Sequence, residues 1–533
     1  MTICRASRHV CLLLIAAMPV LAAPAEGDVT PEEASRFLSQ TTLGADWEEI
    51  HRTAAMGFDA WLDEQFQRPV GYHQPFLDAR ARAGLEVEAE HRRWSWWDQI
   101  MYGPDPLRQR VALALSEHFV VSDNLGQIRD SPLGAANYYD TLLEHAFGNY
   151  RDLLRSVALH PMMGVYLSHL KNERSAPGRF PDENFAREIM QLFSIGLFLL
   201  EEDGSFVLDG AGRSVPTYDN DDITEFAKIF TGLSFDSPER DFRMGREVWT
   251  RPMRMYQEFH EPGPKLLLRG VYVPPGQTGM QDIDDAIDNL FEHPNVGPFM
   301  ARRLIQRLVT SNPPPAYIER VSAIFADNGA GVRGDMKSVL RAILLDTEAR
   351  RQPFGSDVGQ GMLRESYLRR VHLARAFNAV NLAFSFPVTD SAAPTTFGQR
   401  PLSAPSVFNF FQPDHQPQGA IADAGLFAPE FQIITTVTAI TSANALRSQV
   451  EGTMNSDPDD RLEVRLDLAD ELAIASDAVA LVDRLDLILM SGNMSGPMRQ
   501  VLLEALAQLA DARERVDMAL FLVAISPEYT VLK

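Results

Sequence analysis

Along residues 94–121 the apolar positions recur at steps of three and four: Trp97, Ile100 and Met101, then Leu107, Val111, Leu115 and Phe119. That spacing lines them up on one face of a helix. The same rhythm runs through 137–145, 150–159, 184–195, 221–231, 283–291, 296–309, 316–327 and 335–345. It returns in 364–382, 429–445, 477–489 and 499–523. Strand-like alternation is confined to short pieces near Phe206 and over 266–273. The pattern predicts a mainly α protein, a multi-helical array with a small β-containing excursion in the middle and long ordered loops.

Helix ends are marked too. Thr30-Pro31-Glu32-Glu33 reads as a cap, a proline at the first helical position and acids in the first turn. Asp219-Asn220-Asp221-Asp222 reads as a capped start for the helix beginning near Ile223, without EF-hand spacing. Proline and glycine gather over 252–279 and 385–419, each too long for an ordinary connection. The expected organisation is a leader over 1–23 and a helical core over 24–450, with loop-rich stretches at 236–280 and 385–428. A C-terminal helical segment, 451–533, packs on the same body, entered through the acidic stretch 451–460.

The leader changes the picture most. Arg5, Arg8 and His9 precede an apolar run over 10–22 that ends in Leu21-Ala22-Ala23, the pattern of a secretory signal peptide. About 13 apolar residues fall short of the ~20 that cross a bilayer as a helix. Both cysteines, Cys4 and Cys11, lie in the leader, so the remaining chain is expected to have no thiolate metal site and no cysteine nucleophile. The net charge of −23 includes Arg5 and Arg8 and no leader acid, so removing the leader leaves about −25 with His neutral. A chain this acidic repels phosphate backbones, and no nucleic-acid partner is expected. No second long apolar run follows, so no integral membrane segment is expected after cleavage. A periplasmic or secreted location follows.

Candidate chemistry is concentrated in a few segments. In 184–196, NFAREIMQLFSIG, Phe185, Ile189, Leu192 and Phe193 share one face. Asn184, Arg187, Glu188 and Gln191 share another. An amide, a guanidinium and a carboxylate in one row either satisfy one another in a dry interior or hold a substrate. The loop Gln257-Glu258-Phe259-His260-Glu261-Pro262-Gly263-Pro264-Lys265 adds titratable groups on a turn stiffened by proline. The aromatic loop 405–414 and the segment Ala428-Pro429-Glu430-Phe431-Gln432 either stack on a sugar or peptide or plug the core. Glu117-His118, Glu144-His145 and Glu292-His293 lack the two-histidine spacing of a metalloprotease and read as helix composition.

Several routes are discounted. Gly329-Ala330-Gly331-Val332-Arg333-Gly334 fits a dinucleotide fingerprint in form only; it follows a helix rather than a strand and reads as a turn between helices. No nucleophile elbow and no phosphate-binding loop occurs. No cofactor and no bound metal is expected.

Read together, LRQRVALALSEHF (107–119), the 184–196 helix, PTYDNDDITEFAKIFTG (216–232), FHEPGPK, 293–309, PSVFNFFQPDHQPQG, APEFQI and SPEY (526–529) resemble a bacterial family known as domain of unknown function 1800. The resemblance covers nearly the whole chain beyond the leader. It implies an exported, largely helical protein, often encoded beside a sulfatase-like partner family, with no established catalytic residues to carry over. Members commonly read NENFARELMELFTLG, whereas here Asp182 precedes Glu183-Asn184 and Gln191 stands where Glu is usual. Where the family often shows Trp-His-Asn-His-Phe, this chain has Leu115-Ser116-Glu117-His118-Phe119.

Two functions fit. The leading one is a hydrolase acting on a cell-envelope or extracellular polymer, with Glu188, Glu183 and His260 as catalytic groups and Asn184, Arg187, Lys265 and Glu430 holding a polymer or small-molecule ligand. The alternative is a non-catalytic binding or assembly protein working with the co-exported sulfatase-like partner.

Overall fold

A glycine and two prolines decide where the long apolar rhythm of 94–121 is cut. In the computed structural model, which describes residues 29–351, 359–383, 385–455 and 459–533, it forms two helices, Ala89–Tyr102 and Pro106–Ser116. Gly103-Pro104-Asp105-Pro106 separates them, because proline supplies no backbone donor and suits only the first turn of the second helix. The leader expected over 1–23 lies outside the described residues.

Every residue from Leu107 to Ser116 is buried. This central helix packs against Pro31–Thr41, Phe58–Gln67, Ala89–Tyr102, Pro132–His145 and Val296–Leu308. A helix enclosed by its neighbours on all sides has no solvent face, so even its polar residues Arg108, Gln109 and Arg110 are interior. The protein is mainly α-helical, with strands only in two-stranded pieces among the described residues. One pairs Lys265–Leu267 with Val271–Val273, in the predicted β region, with Lys265 opposite Val273. Around Phe206, isolated bridges link Leu200 to Phe206 and Leu208 to Ser214.

Several predicted helices end early for visible reasons. Residues 184–195 are helical only over Asn184–Gln191, and the chain then turns into Gly196 at φ 73°. The 364–382 stretch is helical over Ser366–Ala376 and stops before Asn378 at φ 41°. The 499–523 stretch splits into Gly496–Leu506 and Ala512–Ile525, the second capped by Asp511. The cap signals hold: Thr30 accepts from the Glu33 amide at 3.2 Å, and Asp219 from the Asp221 amide at 2.8 Å. Gly329, Gly331 and Gly334 all have positive φ, in the turn between helices Pro315–Ala326 and Met336–Leu345.

The chain's end is woven into its beginning. Helix Ala478–Met490 packs on Pro31–Thr41, and Ala512–Ile525 on Thr436–Glu451. Strand Met362–Leu363 pairs with Val531–Leu532, and Arg36 donates to the Lys533 carbonyl at 2.6 Å. Among the described residues no helix is long and apolar enough to cross a membrane.

Candidate functional site

The residues chosen from the sequence fall into separate settings. Glu183 and Arg187 form an exposed ion pair at 3.6 Å, and Glu183 also accepts from Thr224 Oγ1 at 3.0 Å. Asn184, exposed beside them, donates from Nδ2 to Ser168 Oγ at 3.3 Å. Replacing Glu183 or Arg187 with alanine is expected to move stability by no more than about 0.5 kcal/mol, since exposed pairs are screened by solvent. Thermal unfolding checks this, and a loss several times larger would mean that the pair supports more than the helix surface. Glu188 faces inward from the same helix; burial raises its carboxyl above the ordinary range, and its Oε2 has no hydrogen-bond partner.

His260 and Lys265 meet Asp282 instead. His260 Nε2 lies 2.8 Å from Asp282 Oδ2, its Nδ1 lies 3.0 Å from the Thr231 carbonyl, and Lys265 Nζ donates to Asp282 and to the Glu261 carbonyl. All three side chains are buried, His260 completely. Burial pushes the Asp282 carboxyl up, but hydrogen bonds from His260, Lys265 and Gln277 hold it below its ordinary value. Gly232 at φ 81° closes over the histidine, so near that a Cβ there would lie 2.9 Å from the His260 amide nitrogen. The sequence reading placed Glu188 and His260 in one water-accessible cleft. Among the described residues they share no hydrogen bond or ion pair, and His260 and Lys265 both meet one acid 17 or more positions along the chain.

A different group of acids does converge, around the C-terminal end of the central helix. Glu117 follows Ser116 there, while Glu365 immediately precedes helix Ser366–Ala376. Gln399 Nε2 bridges them, donating to Glu117 Oε1 at 2.8 Å and to Glu365 Oε2. Glu117 and Glu365 are themselves within hydrogen-bonding reach, so burial and the neighbouring carboxylate together push Glu117 well above the ordinary range. The helix ends act in the same sense, since a C-terminus disfavours negative charge and an N-terminus favours it. Burial, the neighbouring carboxyl and the helix end all favour the protonated form of Glu117.

Cations and a third acid stand around this pair. Arg307 Nε is 3.5 Å from Glu117 Oε2 and its guanidinium lies over Phe411 at 4.3 Å, while buried Arg110 donates to the Arg307 carbonyl. Glu430, on the short turn Pro429–Ile433, is pushed up to about 8, chiefly by burial. It accepts a weak hydrogen bond from Ser311 at 3.4 Å. Asn409 closes the group at φ 67°, a left-handed conformation that costs energy for a non-glycine residue.

Gln399 Oε1, both ends of the Asn409 amide and Glu430 Oε1 have no hydrogen-bond partner among the described residues, and all three side chains are buried. A cavity of about 10 Å³ lies between Glu117, Gln399, Asn409 and Phe410, with room for about one water molecule. The loop that lines it is pinned by two hydrogen bonds: Ser122 Oγ donates to the Ala404 carbonyl at 2.7 Å and the Asp123 amide to the Leu402 carbonyl at 2.8 Å. Asp123 in turn takes hydrogen bonds from Arg92, Arg400 and Ser403, so a buried ion network holds the loop in place.

Two of the segments that carry the sequence resemblance, 107–119 and 405–419, line this cavity, and the family described as protein of unknown function (DUF1800) matches residues 36–531. The chain belongs to the DUF1800 family. No curated protein and no solved structure is matched by it.

Of the residues singled out from this DUF1800 sequence, only Glu430 joins the cluster. Asn409 lies in the aromatic loop that the sequence left open between core plug and binding surface; here Phe411 is buried and Phe408 exposed. Glu117 had been set aside as helix composition. A signal for it existed, because an acid that ends a run apolar on every side has no solvent face to occupy. Glu365 and Gln399 gave none: a glutamate before a helix reads as an ordinary cap, and a glutamine in a loop reads as solvated. Among the described residues of this DUF1800 chain, no group of three His, Cys, Asp or Glu side chains is placed to hold a metal ion.

Proposed function

We propose that this chain is an exported hydrolase whose acid–base centre is the Glu117–Glu365 pair, acting on a cell-envelope or extracellular polymer at the mouth formed by residues 399–410. The observation that carries the reading is the single Gln399 amide shared by two buried carboxyls. Two acids so close cannot both ionise, and a pair that holds one proton can donate it to a leaving group while its partner takes one from water. The unpartnered amides of Gln399 and Asn409 offer a donor and acceptors to a polar group entering the cavity. Buried polar atoms left without partners are costly, and a bound ligand would satisfy them. Glu430, neutral at pH 7 beside Arg307, keeps a further negative charge away from the pair.

The leader at 1–23 supports export, and the sulfatase-like partner suggested by the family resemblance would then act in the same compartment. Glu117 stands where the family pattern shows Asn, so the reading concerns this chain and not every member.

Incubating the purified protein with envelope polymers, and measuring released reducing ends, amines and carboxylates, tests the proposal. Glu117→Gln and Glu365→Gln are expected to retain the helical circular dichroism and to lose about 10²–10⁴-fold in rate, the usual contribution of general acid–base catalysis. A Glu117→Gln variant as active as the parent would remove the pair from the chemistry. Absence of cleavage across the panel would favour the non-catalytic binding role.

A further inference from the structure

If the mouth at residues 399–410 is filled by substrate, the water that hydrolysis consumes must arrive from another side. We propose that it enters through a separate cleft lined by Thr42, Gly44 and Arg375, and passes to Glu365 along a chain of internal cavities. The inference rests on the acid–base reading of the pair.

Three spaces lie in series. The outermost is a cleft of about 490 Å³, lined by charged and polar groups including Glu48, Arg52, Arg375 and Asn378. Its inner wall is Thr42 and Gly44, which also line a second cavity of about 30 Å³ bounded by Ser39, Arg110, Glu365 and Leu368. That volume holds about two water molecules. Leu368 in turn is shared with the 10 Å³ cavity that contains Glu117 and Gln399. Glu365 lines the second cavity and accepts from Gln399 in the third, so its carboxylate stands at the junction.

Thr42 and Gly44 line both the cleft and the second cavity, and only glycine fits at the second of them. Gly44 has φ 130°, and a Cβ there would lie 2.7 Å from His372 Cδ2 and 3.1 Å from Arg375 Cβ. Arg375 fixes this segment by donating to the Gly44 carbonyl at 2.7 Å, while Thr42 Oγ1 accepts from the Gly44 amide at 3.1 Å. Polar groups continue inward: Arg110, Arg364 and Glu365 all face the second cavity, as a hydrated passage needs.

The chemistry balances along this path. Water gives its hydroxyl to the electrophilic carbon of the scissile bond and its proton to Glu365, while Glu117 gives its own proton to the leaving group. The pair then holds the same single proton on the other oxygen. That proton returns to Glu117 across the contact between them, and the cavity chain delivers the next water.

Ser39 is the place to block the route. It lines the second cavity from helix Pro31–Thr41, is half-buried, and takes no part in the pair. Ser39→Leu fills the passage, and Ser39→Met does the same with a more adaptable chain should leucine disturb the helix. The measurement is infrared difference spectroscopy of the protonated carboxyl C=O band on transfer from H2O to D2O, made in an Ala404→Val background that fills the 10 Å³ cavity from the loop side and so closes the mouth, with Glu117→Gln used to assign the band. Blocking is expected to slow the deuterium shift by about tenfold or more, because exchange then waits on local opening of the fold. Exchange as fast as in the parent in both Ser39 variants would overturn the route and leave the pair untouched. A spectrum with no protonated carboxyl band that Glu117→Gln removes would overturn the acid–base reading itself.

Discussion

Replacing Asp282 with alanine is expected to destabilise the protein by about 3–5 kcal/mol, the usual consequence of removing one partner of a buried ion pair. The carboxylate is the common acceptor for His260 and Lys265, and all three groups are shut off from solvent. Without it, Lys265 retains only the Glu261 carbonyl at 2.6 Å and a neighbouring imidazole at 3.4 Å, neither of which offsets a buried positive charge. The double variant Lys265→Met with Asp282→Leu is expected to lose much less, since an apolar replacement of a whole buried pair is often close to neutral. Urea unfolding of the three proteins measures both. A loss under about 1 kcal/mol for Asp282→Ala would mean that water reaches the cluster, and would return His260 and Lys265 to the list of groups available for chemistry.

A second large effect lies in the pH dependence. Glu430 releases its proton near 4.5 in the unfolded chain and near 8 in the folded one. Between those values the folded state holds a proton that the unfolded state has lost. Stability from this group is therefore present in full below pH 4.5 and declines as pH rises, by about 1.4 kcal/mol per unit, until the folded carboxyl itself ionises. Glu430→Gln keeps the shape and removes the titration. Its stability relative to the parent is expected to improve by about 1 kcal/mol or less at pH 5 and by about 3 kcal/mol at pH 7. Denaturant unfolding at a series of pH values checks this; parallel curves for the two proteins would show Glu430 already ionised in the fold, paired with Arg307. Glu117 adds to the same slope, since its carboxyl is also raised well above the ordinary range. A fold that carries two such costs beside a strained Asn409 places its penalties together, as binding and catalytic sites do.

The His260 segment shows how local pattern misleads about chemistry. Flanking carboxylates and a lysine suggested a poised acid–base group, yet the acid that His260 meets, Asp282, belongs to a helix whose start lies beyond the hairpin. The 184–196 helix shows the same limit. Its polar row was correctly placed on one side, but burial divided it, leaving Glu183, Asn184 and Arg187 in solvent and Glu188 inside.

What the sequence determined by itself was the class of fold, the caps and the positions of most helices, because periodicity, proline and capping chemistry act over a few residues. Family membership was legible as well, since it rests on many short motifs taken together. Only the tertiary structure decided which charges are buried and which of them meet. Glu117, Glu365, Gln399 and Glu430 come from four distant segments, and the free energy that makes them chemically unusual arises from shared desolvation, a property of their packing that no single segment contains.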